Sequence, residues 1–316
     1  MPLSPEYQAM FEQLANAEPA PSLWEMTPEQ GREMYRAVRP VIDELPIGRI
    51  DNQIIEDHGT EIPIRIYYPE GEGPFGTLLY FHGGGWVIGD LDTGDAVCRE
   101  MSTIANVVVV SVDYRMAPEA IYPAAVDDSY AALKWIEKNK ELLKANGKIG
   151  VTGESAGGNL SAAVALKTRE LNGPIIDFQC LVYPVTDCDL SRQSYTDNGK
   201  GYMLEVESMK WFWDTYCPDE KNRLEPYASP IRATNLENLP KALVVTAEFD
   251  PLRDEGEAYA KALESSGVDV TYKCYDGMIH DFFSTAAAFP SSRTGFIDCL
   301  LYTSPSPRDG LLSRMP

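Results

Sequence analysis

GKIGVTGESAGGNLSAAVALKT, residues 147–168, runs from a short apolar stretch through a serine framed by glycines into a row of small residues. Gly153, Ser155 and Gly157 make a GxSxG pattern whose flanks read as a strand before and a helix after. Glycines let a chain turn that sharply, and the turn lifts the Ser155 hydroxyl clear of a sheet. The helix that follows aims its positive end at any anion formed beside the serine.

The same alternation extends in both directions. Upstream lie the strand TLLYFHG (77–83), a helix near 94–105, the strand NVVVVSVDYR (106–115) and a helix over 124–144. Downstream come a helix over 156–171, the strands IDFQCLVYP (176–184) and KALVVTAEF (241–249), a helix over 254–266, the strand VDVTYKCYDG (268–277) and a short helix from 281. That order predicts an α/β fold, a mostly parallel central sheet with helices on both faces. A hairpin, NQIIEDHGTEIPIRIYYPEG (52–71), precedes it and turns at DHGTE. Two helices come before any strand: 4–16 with Met10, Phe11 and Leu14 on its apolar face, and 28–44 with Met34, Tyr35, Val38 and Val41.

Residues 187–235 interrupt the rhythm with the aromatic-rich VESMKWFWDTYC (206–217) and the turn-rich EPYASPI (225–231). The expected organisation is a sheet domain, 46–186 and 236–298, under a helical cap built from 1–45 and the 187–235 insertion. In the tail, 299–316, two Ser-Pro steps and an Asp-Gly break any helix, so it is expected to be atypical, disordered or non-native.

Composition narrows the function. With 316 residues, 44% of them hydrophobic, the chain can bury a sizeable core. A formal charge of -21 repels phosphate backbones and anionic lipid surfaces, which argues against nucleic acid and membrane as partners. Cys98, Cys180, Cys188, Cys217, Cys274 and Cys299 form no CxxC pair and no regular spacing, pointing to reduced thiols in a cytoplasmic protein. The N-terminal stretch lacks the basic start and apolar run of a secretion signal, and no segment reaches the roughly 20 apolar residues of a membrane span.

A serine hydroxyl becomes a nucleophile when a base takes its proton. Of three histidines, His58 falls in the hairpin turn and His82 leads into glycines, whereas His280, in YDGMIHDFF, follows the last strand on a loop that can reach a serine at the same sheet edge. An acid must hold the imidazole in the right tautomer. Asp250, at the end of KALVVTAEFD, is the expected partner; Glu248 is expected to point with the strand and Asp254 to open the next helix. Ser155, Asp250 and His280 thus follow the chain order nucleophile, acid, histidine of an α/β-hydrolase sheet.

YFHGGGWVIGD (80–90) supplies the missing part. Attack on an ester carbonyl makes a negative oxygen, and bare backbone N–H groups are its natural donors. Gly83, Gly84 and Gly85 are candidates, which two being open, together with Ala156 just after the nucleophile. His82 is expected to pin the loop. Asp113, Arg115 and Glu119, in DYRMAPE, are charges suited to an ion-pair network near it.

HGGGW, VDYRMAPE, GESAGGN, DPLRDEG and GMIH, in this order, resemble the hormone-sensitive-lipase family of carboxylesterases, the bacterial family IV esterases, over roughly residues 5 to 290. The resemblance implies an α/β-hydrolase fold with a helical cap, the triad Ser155, Asp250 and His280, oxyanion donors from Gly83 to Gly85 and Ala156, and hydrolysis of short-chain acyl esters without a cofactor. Two residues depart from it. Glu154 stands where many relatives carry Asp or Thr, and Asp281 stands where Gly is usual, placing a carboxylate beside His280 that is expected to perturb the pH profile.

The expected activity is therefore a serine carboxylesterase acting through an acyl-enzyme on short- to medium-chain esters. An amidase or other serine hydrolase, or a binding protein on the same fold, are the alternatives. Three histidines, no HExxH and no Cys-His cluster leave little to bind a metal. Trp86, Met203, Trp211, Phe212 and Phe282 are candidates to line the pocket, with cap packing favoured for Trp211 and Phe212. The expected partner is a small-molecule ester; a homodimer is left open.

Overall fold

The computed structural model describes residues 2–17, 20–39 and 45–303. In chain order the elements are α1 (Pro5–Ala15), α2 (Pro28–Ala37), β1 (Arg49–Asp57), β2 (Thr60–Tyr68), β3 (Phe75–Phe81), α3 (Asp95–Ala105), β4 (Val107–Val112), α4 (Ala124–Lys138), β5 (Ala145–Glu154) and α5 (Ala156–Glu170). There follow β6 (Phe178–Val182), α6 (Gln193–Asn198), α7 (Val206–Tyr216), α8 (Glu220–Arg223), β7 (Lys241–Phe249), α9 (Arg253–Ser265), β8 (Val270–Ile279) and α10 (Pro290–Thr303).

The eight strands form one sheet in the order β1-β2-β4-β3-β5-β6-β7-β8. β2 is antiparallel to both β1 and β4, and every other pair is parallel. β3 and β4 are buried along their whole length, which is why they read as unbroken apolar runs rather than alternating ones. β1, at the edge, is mostly solvent-facing. One core, on the face of α4, α5 and α9, holds Leu133, Ile136, Leu160, Leu166 and Leu263. The other holds Tyr7, Cys98, Met101, Phe296 and Leu300, from α1, α3 and α10.

Register brings the strand ends level. Phe81 pairs with Gly153, Glu154 with Val182, and Phe249 with Ile279. The segments that follow β3, β5, β7 and β8 therefore leave from one edge, where ligands bind in parallel α/β sheets.

Several boundaries differ from those read in the sequence. α2 ends at Ala37 and leaves Val38 63% exposed, while Val41 lies outside the described residues. Leu14 is exposed on α1. α4 ends at Lys138 rather than 144, with Asn139 N–H donating back to the Trp135 and Ile136 carbonyls. Residues 281–288 are turns, not a helix, and the helix starts only at Pro290, a residue whose fixed φ suits a first helical position. It then runs to Thr303, past the expected break at 299, because Phe296, Cys299 and Leu300 bury against the sheet and the first Ser-Pro step comes only at 304. The last helix thus packs on the sheet through Phe296, Cys299 and Leu300; residues 304–316 lie outside the described part.

Between β6 and β7 the chain is tied down by the start of α9. Buried Glu255 accepts the Thr186 N–H at 2.8 Å, the Asp187 N–H at 3.3 Å and the Tyr195 hydroxyl at 3.0 Å. Burial nevertheless pushes its carboxyl up to about 8. The folded chain then keeps a proton that the unfolded chain releases above the ordinary value of 4.5, so this contribution is complete below 4.5 and is lost as pH rises through about 8. Glu255→Gln is expected to flatten that loss, on the order of a few kcal/mol, in denaturant titrations between pH 5 and 9. An unchanged slope would contradict it.

Candidate active site

Ser155 sits on the turn between β5 and α5 with φ 58 and ψ -117, a conformation non-glycine residues rarely hold. Three bonds fix it: Ser155 N–H donates to Val182 O at 2.9 Å, and its carbonyl accepts from Asn159 N–H at 3.0 Å and Val185 N–H at 3.2 Å. Gly157 is required here by space, since a Cβ on it would overlap the Phe81 carbonyl.

His280 leaves the end of β8 and Asp250 the end of β7. His280 Nε2 is 3.0 Å from Ser155 Oγ, and His280 Nδ1 is 2.8 Å from Asp250 Oδ2. A carboxylate only accepts, so the proton belongs on Nδ1 and leaves Nε2 free to accept from the serine. Asp250 is fully buried, and its other oxygen accepts Leu252 N–H at 2.8 Å. Its rivals are engaged elsewhere: Glu248 Oε2 accepts Gly277 N–H, and Asp254 accepts Ser194 N–H from the first turn of α9. Asn198 Nδ2, donating to the Glu248 and Asp250 carbonyls, and Ser194 Oγ, donating to Pro251 O, hold the acid's loop from α6. Nothing in their own sequence neighbourhood announces that role.

The glycine loop lies beside the serine. Gly84 and Gly85 have φ of 112 and 58, open to glycine and strained for other residues, and a Cβ on Gly85 would overlap the Phe212 ring. Among the described residues neither of their N–H groups, nor that of Ala156, is donated. Gly83 differs from the expectation: its N–H donates to Glu154 Oε1 at 3.3 Å and so is not a spare donor. His82 pins the loop, as expected. Its Nδ1–H donates to Gly83 O at 2.7 Å, its ring stacks on Tyr114 at 4.3 Å, and Tyr114 OH donates to its carbonyl. Desolvation holds its pKa down at about 4.

The expected charge network near the loop has other members. Arg115 pairs with Asp128, and Glu119 with Arg32 of α2, which also donates to the Val87 and Ala117 carbonyls. Asp113 has no ion-pair partner among the described residues, and burial pushes its carboxyl up to about 6. Asp281 is not a free carboxylate beside His280: it is paired with Arg39, whose guanidinium also lies over the Tyr35 ring at 3.8 Å. Arg39 could not be foreseen, being 242 positions away in sequence.

The pocket candidates divide. Trp86 is 0% exposed, stacked on Tyr216 at 4.2 Å and tilted against Trp213, so it is core beneath α7 and not a lining residue. Phe282, also 0% exposed, packs behind His280 against Tyr183 and Tyr275. Both are large apolar rings, for which burial outweighs exposure to a polar site. Phe212 abuts Gly85, half-buried Trp211 stands against Gly31 of α2, and Met203 lies on the surface before α7. His58 is an exposed hairpin-turn residue.

A serine on a strained strand-to-helix turn, meeting a histidine and a carboxylate at the C-terminal edge of a mostly parallel sheet, defines an α/β-hydrolase. A family model described as the alpha/beta hydrolase fold matches residues 78–284. The carboxylesterase NlhH of Mycobacterium tuberculosis is 39% identical, with 84% of this chain and 85% of that protein covered. For the arylesterase of Saccharolobus solfataricus the identity is 38%, with 90% and 94% covered. The crystal structure of a thermostable esterase from Pseudomonas putida superposes with a TM-score of 0.92 at 36% identity, covering 96% of this chain and 98% of that one. The chain belongs to the hormone-sensitive-lipase family of carboxylesterases and is a carboxylic ester hydrolase. Among the described residues no helix is long and apolar enough to cross a membrane.

Proposed function

We propose that Ser155 is the nucleophile, His280 the general base and acid, and Asp250 the residue that orients and electrostatically supports the imidazole. His280 takes the Ser155 proton as Oγ attacks the ester carbonyl, returns it to the departing alcohol, and then activates water against the acyl-serine. The negative oxygen of each tetrahedral intermediate is held by the N–H groups of Gly84, Gly85 and Ala156, with the N-terminus of α5 adding its positive end. The observation that carries this reading is the unbroken line from Ser155 Oγ through both nitrogens of His280 to Asp250 Oδ2.

The substrates are short- to medium-chain esters. Residues 187–235 and the N-terminal helices act as a cap: Phe212 stands against the glycine loop, and Arg32 anchors α2 to the segments after it. A site narrowed in this way favours small acyl groups, and a relative named as an arylesterase supports aryl esters as substrates. Across p-nitrophenyl esters from acetate to laurate, kcat/KM is expected to peak among the short chains and to be lower by about tenfold or more at laurate. A maximum at laurate would overturn the substrate assignment.

A further inference from the structure

Glu154 fills the gap between the glycine loop and the nucleophile turn. It is 4% exposed and immediately precedes Ser155. Tyr80 OH donates to its Oε1 at 2.7 Å, and Gly83 N–H donates to the same oxygen at 3.3 Å. The other oxygen, Oε2, is buried without a hydrogen-bond partner among the described residues. The Glu154 Cγ lies where it would meet a Cβ on Gly83 at 3.2 Å, so the side chain is packed directly against the loop backbone.

Two donors on one oxygen leave the other free to carry a proton. Burial, aided by the charge of Asp281 and opposed by the Tyr80 hydroxyl, the Gly83 N–H and Arg39, leaves the carboxyl raised to about 7. The neighbouring Tyr35, Tyr114, Tyr183 and Cys98 are all displaced upward by burial and face it uncharged. A neutral carboxyl is thus accessible at physiological pH, and glutamine is its close mimic.

We propose that Glu154 is a positioning residue for the oxyanion loop: by accepting the Gly83 N–H through Oε1, it turns the next two amides, of Gly84 and Gly85, toward the acyl oxygen. The inference rests on the reading of Ser155 as nucleophile. Donors that stabilise a transition state must be held to within a fraction of an ångström, and a misplacement of about 1 Å can cost on the order of 100-fold in rate. Because the oxygen they serve becomes fully negative only during attack, loosening them should lower kcat and leave KM largely alone.

The test compares the wild type with Glu154→Ala, Glu154→Gln and Tyr80→Phe, measuring kcat, KM, inhibition by an alkyl boronic acid that forms a tetrahedral adduct, and labelling by a fluorophosphonate. Glu154→Ala is expected to lose about 100-fold in kcat with KM within about twofold, and the boronate inhibition constant should rise in proportion. Glu154→Gln, which keeps the accepting oxygen, should restore most of the loss, and Tyr80→Phe should fall between. A boronate constant that stays fixed while kcat drops, or a natively folded Glu154→Gln as impaired as Glu154→Ala, overturns the proposal. If Glu154→Ala fails to fold, a folded Glu154→Gln that has lost about tenfold or more in kcat overturns it equally. Absence of label on wild-type Ser155 overturns the nucleophile reading and this inference with it; a labelled wild type with indifferent Glu154 variants overturns this inference alone.

Discussion

Ser155→Ala is expected to lower kcat by about 10⁶-fold, the scale on which removing a triad nucleophile acts. Among the described residues the Ser155 hydroxyl makes one hydrogen bond, to His280, and its backbone conformation is fixed by three main-chain bonds that alanine retains. The variant should therefore fold with wild-type stability and still bind ester competitively, so that the loss is chemical. Rates on a p-nitrophenyl acyl ester, with circular dichroism melting as the control, measure it. Activity within about tenfold of wild type in a folded variant would place the nucleophile elsewhere.

Asp250→Asn is expected to cost about 10⁴-fold in kcat with little change in KM. The two oxygens of Asp250 accept from different donors, His280 Nδ1–H and Leu252 N–H. An amide cannot serve both. If its NH₂ faces His280, Nδ1 must become the acceptor, the proton moves to Nε2, and Ser155 loses its base. If its oxygen faces His280, the NH₂ meets the Leu252 N–H, donor against donor in a fully buried place, which costs about 1–3 kcal/mol. The first arrangement is the cheaper one, and it is the inactive tautomer. A variant retaining a tenth of wild-type kcat would contradict this assignment.

The sheet and the meeting of Ser155, His280 and Asp250 at its edge were legible in the sequence for a physical reason. A parallel strand buried on both faces must be apolar throughout, so VVVVSV and TLLYF announce themselves, and a turn as tight as that at Ser155 admits little besides glycine around it. The order of chemistry-bearing residues then follows from strand ends lying on one edge. Pairing between distant side chains was not legible. Arg39 neutralising Asp281, Glu119 finding Arg32 rather than Arg115, and Glu154 reaching Gly83 are consequences of packing among elements far apart in the chain.

Aromatic residues misled in the same way. Trp86 and Phe282 adjoin site residues in sequence, yet their rings turn into the interior, because a large apolar side chain gains more from full burial than from a place at a polar cleft. The C-terminal helix runs past the break expected at 299 because its Cys299 and Leu300 are held by the core, and the Ser-Pro steps act only beyond Thr303. Helix-breaking residues act locally, and tertiary burial decides how close to them a helix continues.

The convergence of Ser155, His280 and Asp250 is tested most directly by treating the protein with a fluorophosphonate and mapping the adduct by mass spectrometry, in wild type and in His280→Ala. The expected result is one adduct per wild-type chain, on Ser155, with labelling of the His280→Ala variant slowed by several orders of magnitude. An adduct on any other residue, or labelling of Ser155 at an undiminished rate without the imidazole, would contradict it.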